Sequence, residues 1–114
     1  KKTRGSHASI LFDARLNQLA KSEDVGRHNA LDKTIGRGLM GRKLKDARLI
    51  ILSSRISYEM VQKAARSQVP IIVSASRPTV LAVNLAKQLN MTLACAARKN
   101  ELIIFCGEER ITRE

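Results

Sequence analysis

Three short segments of the chain each bring polar groups together with one arginine. They are Glu23-Asp24-Val25-Gly26-Arg27-His28-Asn29, Ser53-Ser54-Arg55 and Ser74-Ala75-Ser76-Arg77-Pro78-Thr79. The chemistry that such sets support is recognition of an anion. A guanidinium fork matches phosphate oxygens two at a time, and hydroxyls and backbone N–H groups complete the shell. Ser and Thr in such places also serve as ordinary helix caps. Arginine at a helix start opposes the helix dipole unless an anion or an acid lies near. Three such arginines in one short domain point to a phosphate-bearing ligand.

Covalent chemistry finds less support. Asp24 lies close enough in sequence to orient His28, but a basic histidine needs a nucleophile within hydrogen-bond reach, and the sequence names none. Ser53 and Ser54 lack a Gly-x-Ser-x-Gly elbow. His7 stands at a strand start, a place for a structural histidine. Glu59 sits where it favours a helix dipole. Cys95 and Cys106 form no Cys-x-x-Cys pair and have no metal-ligand spacing, so buried, inert thiols are expected. No P-loop is present.

The elements that must position these groups follow from the apolar pattern. Residues 7–13 read as a strand, with 15–21 as its hairpin partner. Val25, Ala30, Leu31 and Ile35 fall on helical spacing and predict a helix over about 25–36, capped by Asp24 or Ser22 and loosened at its far end by Gly36, Gly38 and Gly41. Arg48–Leu52 and Pro70–Val73 are apolar without alternation, as in strands covered on both faces. Helices are expected over about 58–67, capped by Ser57, and about 78–89. Met91–Ala96 and Glu101–Cys106 read as strands joined by a turn at Arg98-Lys99-Asn100. The charged tail from Gly107 is expected to be poorly ordered. The order ββ-α-β-α-β-α-β-β describes one α/β layered domain over residues 1–114, its parallel strands joined by right-handed crossovers. In such a sheet, ligands lie at the C-terminal strand ends. Residues 53–55 and 74–77 should therefore share a crevice, with the start of the first helix beside it.

Composition narrows the partners. The chain has 114 residues and a net charge of +11, from 21 basic and 10 acidic side chains. The charge favours nucleotides, phosphates, nucleic acid or an acidic protein, although a basic surface that only aids solubility is the plainer alternative. Aromatic residues make up 3% and there is no Trp, so the stacking platforms of single-strand nucleic-acid binders are scarce. With no membrane-length apolar run and no leader-like opening, a cytoplasmic location is expected.

At residue level the sequence resembles a known family. Glu23-Asp24-Val25-Gly26-Arg27-His28-Asn29-Ala30-Leu31-Asp32-Lys33 is similar to the signature EDVGRHNALDK of the formate dehydrogenase accessory sulfurtransferases, the FdhD type. Ser54-Arg55-Ile56-Ser57-Tyr58-Glu59-Met60-Val61-Gln62-Lys63-Ala64-Ala65 resembles that family's SGRxSxEMVxKAA. Ser74–Thr79 with Leu81-Ala82 resembles SxSAPTxLA, Gly5-Ser6-His7-Ala8 resembles GGxHxA, and Thr92-Leu93 with Arg98 resembles TLxGFxRG.

The resemblance implies a cytidine deaminase-like, three-layer α/β/α sandwich with a mixed sheet and no zinc site. It implies a sulfur carrier needed for formate dehydrogenase activity, which takes sulfur from a cysteine desulfurase and passes it to bis-molybdopterin guanine dinucleotide before insertion. The implied partners are the desulfurase, the formate dehydrogenase catalytic subunit, a guanine nucleotide-type ligand and a second copy in a homodimer. The family's sulfur-carrying Cys-x-x-Cys is absent from these residues, so a fragment or shortened member holding only the cofactor-binding part is expected. The residues carried over to that cradle are Asp24, Arg27, His28, Asn29, Ser54, Arg55, Ser57, Ser74, Ser76, Thr79 and Arg98, with Asp24 orienting His28 or Arg27. The chain departs from the family at Ser54 (Gly), at Arg77 (Ala) and across 95–101, where only Arg98 of the late segment is kept. Two readings compete with this one. A basic RNA-binding or assembly module would do no chemistry, and a deaminase-like hydrolase would need metal ligands that the sequence lacks.

Overall fold

The computed structural model describes residues 6–97 and 101–111. Strands β1 (His7–Asp13) and β2 (Gln18–Asp24) form an antiparallel hairpin. Asp13 builds the turn. Its Oδ1 accepts the N–H groups of Arg15 and Asn17, each at 2.9 Å, and Leu16 takes a φ of 66°. This side-chain turn starts the second strand later than the expected 15–21. Ser22 and Asp24 therefore belong to β2, and neither caps the next helix.

Helix α1 (Arg27–Met40) starts at Gly26, which offers no side-chain cap. It runs through Gly36 and Gly38, beyond the expected end at 36. Packing explains the persistence: a Cβ on Gly38 would lie 2.9 Å from Leu11 Cδ2. Glycine thus lets the helix lie close on β1, and the contact outweighs the glycine penalty. Thr34 Oγ1, also buried, lies 3.0 Å from the Ser9 carbonyl and anchors the same face.

The remaining elements fall close to expectation. They are β3 (Ala47–Leu52), α2 (Tyr58–Arg66), β4 (Ile71–Ser74), α3 (Val80–Gln88), β5 (Thr92–Ala96) and β6 (Leu102–Cys106). The six strands form one sheet in the order β2-β1-β3-β4-β5-β6, with β3–β4–β5 parallel and the other pairs antiparallel. The described part of the tail, residues 107–111, is folded, and 112–114 lie outside the described residues. Gly107 takes a φ of +69°, its carbonyl accepts Thr92 Oγ1 at 2.7 Å, and Glu108–Arg110 makes a 3-10 turn.

The register sets the layers. Leu11, Ile50, Ile72 and Leu93 stand side by side on one face, each at most 1% exposed. They share one core with Leu31 of α1, Met60, Val61 and Ala64 of α2, and Ala82 and Ala86 of α3. All three helices therefore cover the same face. Among the described residues the expected three layers are two, sheet and helices. No helix among them is long and apolar enough to cross a membrane.

Candidate functional site

The chain reverses at the C-terminal ends of the parallel strands, and there a crevice of about 610 Å³ opens. Arg55 follows β3, Ala75, Ser76 and Arg77 follow β4, Cys95, Ala96 and Ala97 end β5, and Ile103 stands on β6. The location is the one expected for an open α/β sheet. Among the described residues its wall is apolar and its charge comes from two guanidinium groups.

These two arginines are linked. Arg55 Nε donates to the Arg77 carbonyl at 3.2 Å, tying the loop after β3 to the loop after β4. The bond uses one of the five guanidinium donors of Arg55. The Arg77 guanidinium carbon lies 6.0 Å from the centre of the Phe105 ring, so β6 supports it from below. Both side chains are solvent-exposed, as capture of a ligand from solution requires.

The hydroxyls divide by role. Ser57 accepts the Met60 N–H at 3.4 Å, and Thr79 accepts the Ala82 N–H at 3.1 Å. Both are N-caps, the commoner use of these residue types. Ser54 donates to the Arg55 carbonyl, and Ser74 donates to the Ser76 carbonyl. These two buried hydroxyls shape the loops and do not line the crevice. Ser53 is committed elsewhere, its Oγ accepting the Ala8 N–H at 2.8 Å. Among the described residues Ser76 is the one hydroxyl residue on the crevice wall.

The first segment stands apart. Asp24, Arg27, His28 and Asn29 lie at the junction of β2 and α1, at the far edge of the sheet, and none lines the crevice. Asp24 does not orient His28 or Arg27. Its Oδ1 accepts the Gly26 N–H at 2.9 Å, and its Oδ2 pairs with Lys33 Nζ at 2.7 Å. The Lys33 ammonium and then the Gly26 N–H pull its carboxyl down from 3.8 to about 2. The job of Asp24 is thus to fix the loop that delivers the chain into α1. Because Gly26 has no side chain, the first turn of α1 keeps its N–H groups uncapped by side chains, with Arg27 exposed beside them. The structure therefore gives two basic helix-start regions, one at 55–77 and one at 26–29. Arg98 lies outside the described residues.

Of the residues carried over to the cradle, Arg55 and Ser76 line the crevice; Cys95, Ala96, Ala97 and Ile103 line it too and were not among them. Cys95 is buried, as expected, yet it touches the crevice. Among the described residues no three His, Cys, Asp or Glu side chains cluster in a way that could hold a metal.

Comparisons with known proteins bear on the family and the fold. The model of the FdhD/NarQ family matches residues 1–112. A sulfur carrier protein FdhD from Thermoplasma acidophilum is 41% identical over 110 residues, covering 96% of this chain and 39% of that protein. One from Sulfurisphaera tokodaii is 44% identical over 112 residues, covering 96% and 43%. The chain thus spans about two-fifths of the length of these relatives. Among solved structures, a formate dehydrogenase accessory protein from Desulfotalea psychrophila is similar with a TM-score of 0.87 and 35% identity, over 97% of this chain and 49% of that one. With matching sequence along nearly its whole length and a matching fold, this chain belongs to the FdhD/NarQ family.

Proposed function

We propose that this chain is the cofactor-holding part of a sulfur carrier for formate dehydrogenase, and that it binds the phosphate-bearing guanosine end of bis-molybdopterin guanine dinucleotide. The observation that carries the reading is the crevice between the strand ends, where Arg55 and Arg77 are tied together beside Ser76. Its volume of about 610 Å³ lies within the usual range for small-molecule sites. Two guanidinium forks suit a diphosphate, and the apolar wall of Ala96, Ala97 and Ile103 suits the flat side of a base or ribose. The residues present therefore fit the group. The cofactor, when bound, supplies the dithiolene sulfur and metal chemistry. What these residues do is bind, orient and partly desolvate its anionic end.

In this reading the sulfur-bearing cysteines belong to the part of the family that this chain does not match. Cysteine desulfurase and the formate dehydrogenase catalytic subunit are the protein partners. A homodimer, a cytoplasmic setting and a cytidine deaminase-like core belong to the same proposal.

Calorimetric titration with guanosine diphosphate tests it. Binding should be measurable, and Arg55→Ala should weaken it about tenfold, the scale of one lost charge-assisted hydrogen bond. Arg55→Lys should recover only part, because an ammonium lacks the planar fork. An absence of nucleotide binding, together with RNA binding of steep salt dependence, would replace this reading with that of an RNA-binding module.

A further inference from the structure

The second face of the sheet is apolar and carries no helix among the described residues. Pairing register aligns Ile10, Ile51, Val73, Ala94 and Ile104 in one row across β1, β3, β4, β5 and β6. A second row holds Phe12, Leu49 and Ile71. Ile10, Phe12, Leu49, Ile51, Ile71 and Val73 are all half-buried, whereas their neighbours on the helix-covered face, Leu11, Ile50 and Ile72, are at most 1% exposed. A recess of about 260 Å³ opens into this face beside Ile10, Ile51 and Val73.

Parallel strands with apolar residues on both sides are strands covered on both faces. β3 and β4, with Leu49-Ile50-Ile51-Leu52 and Ile71-Ile72-Val73, have that composition, and the helices supply only one cover. Contiguous apolar surface of this kind is rarely left to water. Two occupants compete. A second copy would bring another charge of +11 face to face with the first across two sheets, about 10 Å apart. The other occupant is suggested by length. Relatives are matched over only 39% and 43% of their own chains, and a solved relative over 49% of its chain with a TM-score of 0.87. More than half of each such protein therefore lies outside the matched part and is available to cover this face.

We infer that the open sheet face is the seat of the family region that this chain does not match, which lays its own apolar surface across β1, β3 and β4 and buries the row from Ile10 to Val73. The inference rests on family membership and not on the ligand proposed for the crevice. The covering region holds the sheet from behind, while the crevice opens at the strand ends, so one rigid sheet would connect the two parts.

Thiol labelling tests it. Ile51→Cys and, separately, Ile71→Cys are made in the 114-residue chain and in a single-chain fusion with the unmatched region of the Sulfurisphaera tokodaii relative. Cys95 and Cys106 are buried. The unsubstituted chain, fusion and full-length relative each serve as background. Labelling is read at the introduced cysteine by peptide mass mapping, so that the sulfur-bearing cysteines of the unmatched region do not count. The expected result is labelling at both positions in the lone chain, slowed at least tenfold in the fusion. The same substitution at the aligned position of the full-length relative should label equally slowly, whether or not the fusion folds. Fast labelling in that full-length relative would overturn the inference. So would slow labelling in the lone chain that strengthens with concentration as its sedimenting mass doubles, because a second copy would then occupy the face. Guanosine diphosphate titration of the same samples reports on the crevice independently.

Discussion

At the residue scale, the position of a polar group decided its use more than its type did. Ser57 and Thr79 satisfy helix ends, Ser54 and Ser74 satisfy nearby carbonyls, and Ser76 alone is left to the crevice wall. Asp24 makes the point with a measurable consequence. Its carboxyl is held near 2 by Lys33 and Gly26, below its ordinary 3.8. Between these values the unfolded chain binds a proton that the folded chain refuses, so stability rises with pH across that window. The contribution is fully present above about pH 4 and is lost as pH falls toward 2. Asp24→Asn should therefore flatten the acid limb of a urea-midpoint-against-pH curve while lowering stability at neutral pH, where Lys33 loses its partner. An acid limb unchanged by Asp24→Asn would show that the pair contributes nothing to folding. The residues that sequence reasoning overlooked are instructive in the same way. Ala96, Ala97 and Ile103 carry no chemical signature: the first two line the crevice because β5 ends there, and Ile103 reaches it because β6 pairs with β5.

At the element scale, the legible parts were those whose local pattern and tertiary role agree. β3 and β4 are unbroken apolar runs, and α2 has both a capping serine and an apolar stripe, so each lies where its composition puts it. β2 was displaced because Asp13 folds a turn with its own side chain, a bond that residue spacing alone does not announce. α1 was cut short because glycine is a poor helix former, whereas in the fold Gly38 is required. Two substitutions separate these influences. A Cβ on Gly36 meets nothing within 4 Å, so Gly36→Ala should raise stability by about 0.5–1 kcal/mol through helix propensity alone. A Cβ on Gly38 meets Leu11, which is fully buried and has little room to move. Overpacking costs about 1–3 kcal/mol, so Gly38→Ala should be net destabilising by about 1 kcal/mol despite the same propensity gain. Denaturant unfolding of the two variants decides it. Equal stabilisation by both would mean that the α1–β1 contact is softer than the distance implies.

At the scale of the whole molecule, a net charge of +11 on 114 residues acts on folding and on binding in opposite directions. Only two ion pairs, Lys33–Asp24 and Lys63–Asp32, occur among the described residues, and exposed pairs contribute little. Self-repulsion should therefore dominate the electrostatics of the fold. Raising salt from about 0.05 M to about 0.5 M shortens the screening length from about 14 Å to about 4 Å. Repulsion across a molecule about 30 Å wide is then largely removed, and the melting temperature should rise by a few degrees. The same screening weakens attraction between the arginines at the crevice and a diphosphate, so guanosine diphosphate affinity should fall over the same range. A basic surface that served only solubility would give the first effect without the second. A melting temperature that falls with salt would show that the two ion pairs outweigh the repulsion. Scanning calorimetry and titration on one salt series thus separate charge that merely surrounds the fold from charge that the crevice uses.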